Sequence, residues 1–172
     1  MKKMLMVLVP VLLLAGSAFG QDDAIQKFFG KYLNDNRFTV VYVSPRMFKM
    51  FSRMDWDSVS HDVLQAASQI TSLRILTTDD TPLQFYDEAV HTIDQKEYEP
   101  LVSMRDHGEE IKFMAKENGN TVQELLMLCG SKDEFVLMSF VGNINLDEMS
   151  KLGADLNVNG MQYLKGLKKN HN

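Results

Sequence analysis

The sequence predicts a single α+β domain in which a mostly antiparallel sheet carries helices mainly on one face. Three observations lead to this prediction. Apolar residues recur at helical spacing through much of the first half of the chain. From Tyr98 onward the apolar pattern alternates with a period of two, as in strands. Short clusters of turn residues separate the alternating runs, so neighbouring strands are expected to pair as hairpins.

The first 20 residues are predicted to be a secretory signal peptide. Lys2 and Lys3 precede an apolar run of 12 residues, Met4 to Ala15, which is short for a membrane span. Small residues then lead to an expected cleavage after Gly20. Cleavage would leave a domain over residues 21–155 and a basic tail over residues 156–172, in a periplasmic or secreted protein with no membrane span in its mature chain.

Charge and cysteine content narrow the possible functions. The full chain has a formal net charge of −5, and loss of two lysines with the signal peptide would leave 16 basic and 23 acidic residues, a charge of −7. Nucleic-acid binding is therefore not expected, because it requires a cationic surface. Cys129 is the single cysteine, so no internal disulfide can form. Its apolar surroundings in the sequence predict a buried, inert thiol.

The first half of the chain is predicted to combine four helices with two strands. Residues 24–34 have the apolar spacing of an amphipathic helix, and the β-branched and aromatic residues 37–44 form a buried-strand pattern. Ser44 and Pro45 are typical of a helix start. The remaining elements are a helix over residues 57–70, a strand over residues 73–78 and a helix from Thr81, which forms a capping-box pattern with Gln84.

The second half is predicted to contain four strands and a last helix. The strands cover residues 98–106, 109–117, 121–130 and 134–142. The last two are apolar on both faces, which indicates central strands covered on both sides or a surface used for association. Asn145 is expected to cap the final helix, with Glu148 three residues later. The complete predicted order is α-β-α-α-β-α-β-β-β-β-α.

The helix after Pro45 carries a stripe of methionines. At 100° per residue its apolar arc consists of Met47, Met50, Phe51 and Met54, and its polar side consists of Arg46, Lys49, Ser52 and Arg53. Because methionine fills irregular gaps in cores, we expect this arc to face inward. Docking of a partner and ligation of Cu(I) by the thioethers are the alternatives.

Polar clusters in the sequence predict no active site. Asp106, His107, Glu109 and Glu110 surround Gly108, and this pattern favours a solvated hairpin turn over a metal or proton-transfer site. Ser60, His61 and Asp62 are neighbours on a predicted helix and therefore cannot form a catalytic relay. His91 projects away from its apolar arc, and His171 lies in the tail. No catalytic, cofactor-binding or metal-binding residue is assigned.

Several segments support a family resemblance. An early helix carries Phe28 and Tyr32, a strand leads into Ser44-Pro45, and the last strand continues into "GNINLDEMSKL" at residues 142–152. In these features residues 24–155 resemble an exported family of Bacteroidetes, domain of unknown function 4252. The most distinctive positions are Gly142, Asn143, Ile144 and Leu146. The resemblance implies an envelope location, an α+β fold and a link to envelope-stress regulation, but no established activity. Many relatives are lipoproteins, whereas this chain lacks the anchoring cysteine.

These observations predict an exported, non-enzymatic binding module of the bacterial cell envelope. Its partner is expected to be another protein, or a second copy of the chain, engaged through an apolar sheet or helix surface. The first alternative is a carrier of a small apolar ligand held between the sheet and the methionine-bearing helix. The second alternative is an envelope hydrolase, which would need residues such as His107 and Asp106 to converge in a cleft. No cofactor is predicted.

Overall fold

The computed structural model describes residues 24–51, 53, 61–93 and 97–155. The predicted signal peptide, the predicted basic tail and Met54 lie outside these ranges. The described helices are α1 (Ala24–Tyr32), α2 (Pro45–Phe51), α3 (His61–Gln69), α4 (Pro82–Thr92) and α5 (Leu146–Asp155). The strands are β1 (Thr39–Val43), β2 (Ile70–Thr78), β3 (Glu99–Asp106), β4 (Glu109–Asn118), β5 (Thr121–Gly130) and β6 (Phe135–Ile144). Their order along the chain confirms the predicted order.

The six strands form one antiparallel sheet in the order β1-β2-β6-β5-β4-β3. Strands β3 to β6 are consecutive neighbours, as the turn clusters between them predicted. Strand β2 pairs with β6, so the N-terminal half of the sheet joins the C-terminal half through a pairing that is distant in sequence. Strands β1 and β3 are the two edges.

The helices cover both faces of the sheet, which corrects the prediction that they lie mainly on one. Alternate residues of β5 enter two separate cores. Leu126 and Leu128 join a front core with residues of α1 and α4, whereas Leu125 and Met127 join a back core with Phe48 of α2 and Met149 of α5. Because the central strands are apolar on both faces, each face needs its own cover.

Aromatic side chains dominate the front core. The ring centroid of Tyr32 lies 4.6 Å from that of Phe38 and 5.3 Å from that of Phe85. The Tyr32 hydroxyl donates a hydrogen bond of 2.7 Å to Glu88, and the Lys31 ammonium donates one of 2.6 Å to the same carboxylate. These contacts fix α1 against α4 while the rings exclude water from the front face.

The junction between β6 and α5 is packed tightly against the end of α3. Gly142 pairs with Ile70, and a Cβ atom at Gly142 would lie 1.9 Å from the carbonyl oxygen of Gln69. Gln69 Oε1 accepts a hydrogen bond of 2.8 Å from the Asn145 amide. Asn145 Oδ1 in turn accepts bonds of 2.9 and 3.3 Å from the amides of residues 147 and 148, which confirms it as the cap of α5.

The other predicted helix caps have different outcomes. Ser44 Oγ accepts a hydrogen bond of 3.3 Å from the Met47 amide at the start of α2, as expected for a cap. Thr81 precedes α4 but makes no side-chain cap bond. Its backbone has φ 45° and ψ 48°, which is left-handed, whereas a capping residue adopts the β region. The capping box predicted for Thr81 and Gln84 is therefore wrong, and Pro82 alone marks the start of this helix.

Substitution of Gly142 by alanine is expected to destabilise the fold by about 1–3 kcal/mol, because the added methyl group would collide with backbone atoms that cannot move aside easily. The free energy of unfolding in urea measures the effect. Gly30→Ala is the matched control, since a Cβ at Gly30 meets no atom within 4 Å. It lies within a helix and should be neutral or stabilising by up to about 1 kcal/mol. Equal stability of the two variants would contradict the packing described here.

Candidate functional site

Helix α2 is exposed, which contradicts the prediction that its methionine arc faces inward. The exposed fractions are 42% for Met47, 54% for Met50 and 38% for Phe51. The helix contains no buried residue, and Phe48 provides its packing against the back core. Phe48 lies about 100° round the helix from Met47, outside the predicted arc. A helix of seven residues can therefore attach through one phenylalanine and leave its apolar arc in solvent.

Strand β1 extends this apolar surface along an edge of the sheet. Its sequence, TVVYV, contains no charged residue, and Val41 and Tyr42 are 40% and 56% exposed. Seven large hydrophobic side chains are exposed among the described residues, and five of them lie between positions 41 and 51. We call these five the β1–α2 surface: Val41, Tyr42, Met47, Met50 and Phe51. Because neighbours on a strand point to opposite faces, Val41 lies on the back face with α2 and Tyr42 lies on the front face, so these side chains flank the β1 edge from both sides. Exposed apolar side chains gathered at one edge indicate a contact surface, whereas scattered ones do not.

Basic groups border the β1–α2 surface. Arg46, Lys49 and Arg53 are exposed on α2 and just after it. The guanidinium of Arg74 lies 5.8 Å from the centroid of the Tyr42 ring. Residues 37–53 contain no aspartate or glutamate, although the chain has 23 acidic residues. The surface is therefore locally basic on a protein of net negative charge.

The two edges of the sheet differ in their protection. Strand β3 carries Glu99, Arg105 and Asp106, and its register shifts between Pro100 and Val102. Charges, proline and irregular pairing are features that prevent an edge from pairing with another strand. Strand β1 has none of them, and it pairs with β2 in an uninterrupted register. The edge formed by β1 is therefore the one suited to accept an additional strand.

A cleft of about 710 Å³ lies at another part of the molecule. The end of α3, the start of β3, the β4–β5 turn and the β6–α5 junction line it. Its polar lining includes Gln69, Glu99, Glu117, Asn120, Asn143 and Asp147. These groups can exchange hydrogen bonds with a polar molecule. No group of three or more histidine, cysteine, aspartate or glutamate side chains in the described part of the chain is arranged to hold a metal ion.

The residues around Gly108 form a solvated turn, as predicted. His107 and Asp106 pair with each other, with side chains 94% and 68% exposed. His107 has φ 46° and Gly108 has φ 89°, so both adopt the left-handed backbone of a tight hairpin. The neighbouring carboxylates make other contacts: Glu109 accepts a bond from Cys129, and Glu110 pairs with Arg105. Neither His107 nor Asp106 lines the cleft of about 710 Å³.

The other histidines are dispersed. His61 and His91 are exposed, and His91 Nδ1 lies 2.6 Å from the carbonyl oxygen of Asp87 one helical turn earlier. Ser60, His171 and the side chain of Asp62 lie outside the described residues. Within the described residues, the histidines that the sequence singled out are therefore not brought together.

Cys129 is a half-buried thiol. Its Sγ donates a hydrogen bond of 3.2 Å to Glu109 Oε1. Burial, and then the nearby carboxylate of Glu109, raise the pKa of the thiol to about 12. The thiolate form that reacts with electrophiles and metals is thus suppressed at neutral pH. This environment agrees with the inert role predicted from the sequence.

Sequence reasoning missed a buried carboxylate in β5. Glu124 is only 6% exposed, and it accepts hydrogen bonds of 2.9 Å from the Tyr98 hydroxyl and 2.5 Å from the Ser139 hydroxyl. Lys116, which faces Glu124 across the strand pair, lies with its ammonium 5.5 Å from the Tyr98 ring. The signal available in the sequence was a glutamate directly before the apolar run of residues 125–128. Because both carboxylate oxygens have hydroxyl donors, the group has a structural arrangement that satisfies its burial.

Across the ranges that the structure describes, the fold is a single-sheet α+β domain in which the edge strand β1 carries no charge, no proline and no irregular pairing. Within the described residues, no helix combines the length and hydropathy that a membrane crossing requires. Residues 32–152 match the model of the family described as Domain of unknown function (DUF4252), and the chain belongs to this family. The match extends from the end of α1 into α5 and includes the β1–α2 surface. No curated protein and no solved structure matches the chain.

Truncation of Met50 to alanine should reduce the free energy of unfolding by less than about 1 kcal/mol, because an exposed side chain gains little from burial. Met149→Ala is the comparison, since Met149 is 1% exposed in the back core and its truncation should remove about 2–5 kcal/mol. Chemical denaturation of both variants measures the difference. A large loss in Met50→Ala would mean that the helix is packed in solution.

Cys129 should be alkylated by iodoacetamide at pH 8 about a thousandfold more slowly in the native protein than in the urea-unfolded chain, since far less thiolate is present. Glu109→Gln removes the nearby charge, so the pKa of the thiol should fall and alkylation should accelerate. It should remain slower than in the unfolded chain, because burial is the larger cause of the raised pKa. Equal native and unfolded rates would exclude this environment.

Proposed function

We propose that this protein is an exported, non-enzymatic binding module of the cell envelope that engages another protein through the β1–α2 surface. The observation that carries the proposal is the concentration of five exposed apolar side chains on an unprotected edge strand and the adjoining helix.

The surface has the components of a protein-recognition site. The free edge of β1 offers backbone donors and acceptors to an added strand. Met47 and Met50 provide flexible apolar contacts that adapt to the shape of a partner. Arg46, Lys49 and Arg53 surround these contacts with positive charge, which favours an acidic partner and orients its approach.

Export is supported by the sequence of residues 1–20, and the proposed location is the periplasm or the extracellular space after cleavage near Gly20. The resemblance to exported proteins encoded near envelope-stress regulators extends the proposal to envelope-stress signalling. Transport of a small apolar ligand has less support, because amides and carboxylates line much of the described cleft and no residue of α2 contributes to it.

Capture experiments with matched variants test the proposed binding surface. The mature chain is immobilised and exposed to envelope extract of its host, and each retained protein is then purified and titrated by calorimetry. Met50→Glu introduces a charge at the more exposed of the two methionines of the surface and should weaken binding at least tenfold. Leu83→Glu changes a residue of similar exposure on α4 and should leave the affinity unchanged.

Retention that is equal for wild type and both variants would contradict the proposal, since binding would then not depend on the β1–α2 surface. Circular dichroism of each variant establishes that its fold is unchanged.

A further inference from the structure

We infer that the partner of the β1–α2 surface is a second copy of the chain, whose β1 pairs antiparallel with β1 about a two-fold axis at Val41. This inference rests on the proposed function and names the partner of the same site. The result is a closed dimer in which two six-stranded sheets join into one of twelve strands.

The edge strand is complementary to itself. With the axis at Val41, Val41 opposes its own copy, Val40 opposes Tyr42 and Thr39 opposes Val43. Val40 pairs with Leu76 of the front core, and Val43 pairs with Leu73 of the back core. Each new cross-strand pair therefore lies on a defined face. Valine against tyrosine and valine against valine are favourable combinations, and no like charges meet along the strand.

The distribution of charge favours this antiparallel arrangement. Strand β2 runs antiparallel to β1, since Thr39 pairs with Thr77 and Val43 with Leu73. Helix α2 therefore begins at the end of the strand pair where β1 finishes, and Asp79 and Asp80 lie at the opposite end, where β2 finishes. The two-fold axis reverses the second copy. Arg46, at the start of α2 in one copy, therefore lies at the same end of the joined sheet as the exposed Asp79 and Asp80 of the other copy. The symmetry repeats this arrangement at the opposite end.

The absence of charged residues from β1 makes this strand suited to self-association. The full chain has a formal net charge of −5, and loss of Lys2 and Lys3 with the predicted signal peptide makes it −7, so two copies repel through most of their surfaces. Along β1, which carries no charged residue, that repulsion is smallest. A five-residue strand buries little area by itself, and stable interfaces bury about 800 Å² per partner. Met47, Met50 and Phe51 supply the additional apolar area beside the strand.

The protected edge of β3 makes the assembly finite. Pairing of β1 with β3 of the next molecule would generate an open chain of sheets, since the two surfaces differ. The charges of β3, together with Pro100 and its shifted register, oppose that contact. Pairing of β1 with β1 consumes both unprotected edges and stops at two copies.

Cysteine cross-linking tests the register. In a Cys129→Ala background, Val41→Cys places two thiols directly opposite each other, within the Cα separation of about 4–7 Å that a disulfide needs. Mild oxidation should convert most of the protein to a covalent dimer. Val43→Cys is the control: its two copies would lie four residues apart along the strands, about 13 Å, and should cross-link at least tenfold less.

Val41→Lys provides an independent test that needs no oxidation. Two lysines would face each other at the axis, so light scattering should show a monomer at concentrations where the wild type is a dimer. Leu83→Lys should remain a dimer, since it adds the same charge at an exposed position of α4. Circular dichroism and the midpoint of urea unfolding report whether each variant is folded.

The outcomes separate the inference from the proposed function. A wild-type dimer that cross-links through Val41→Cys and dissociates with Val41→Lys supports both. A wild-type monomer that binds a host protein in a Met50-dependent manner overturns the second-copy inference and leaves the proposed function standing. A dimer that cross-links equally through positions 41 and 43 also overturns the inference. A monomer with no surface-dependent binding overturns both.

Discussion

The fold depends on the burial of β5 and β6 on both of their faces. Residues 124–128 are all buried, so the centre of the sheet requires an apolar layer in front and another behind. Helices α1 and α4 supply the front layer, and Phe48 of α2 with Leu146 and Met149 of α5 contributes to the back layer. This division of five helices over two faces leaves few of them for the margins of the sheet. Within the described residues, the short helix α2 follows the edge strand β1 and packs against the back core through Phe48.

The residues that are most distinctive of the family resemblance, at positions 142–146, hold neighbouring elements of the fold together. Gly142 allows the backbone of Gln69 to approach β6, and the side chain of Gln69 then receives the amide of Asn145. Ile144 enters the back core and Leu146 packs against it. One short stretch thus joins the end of α3, the central sheet and the start of α5, so its residue types are constrained by packing and hydrogen bonding.

The sequence patterns predicted the helices and strands better than they predicted which side chains are buried. The alternation after Tyr98 and the turn residues between strands gave four hairpin-connected strands, because those signals are local. The arc on α2 was real, but projection shows only which residues share a side of a helix. The side that faces the sheet is the one that carries Phe48, which packs against the back core. Burial of Glu124 depends on Tyr98 and Ser139, which are distant in sequence.

The pairing of β2 with β6 has a consequence for the order of folding. Strands β3 to β6 form a meander of neighbouring hairpins with short loop closures, whereas β2 must wait for β6, which follows it by more than 50 residues. During synthesis the N-terminal half therefore emerges before β6, the strand with which β2 pairs, has been made. Strands β1 and β2 therefore join the sheet late in folding. Until they do, the stretch from β1 to α2 is exposed in an unpaired chain, and it has no acidic residue to favour its solubility.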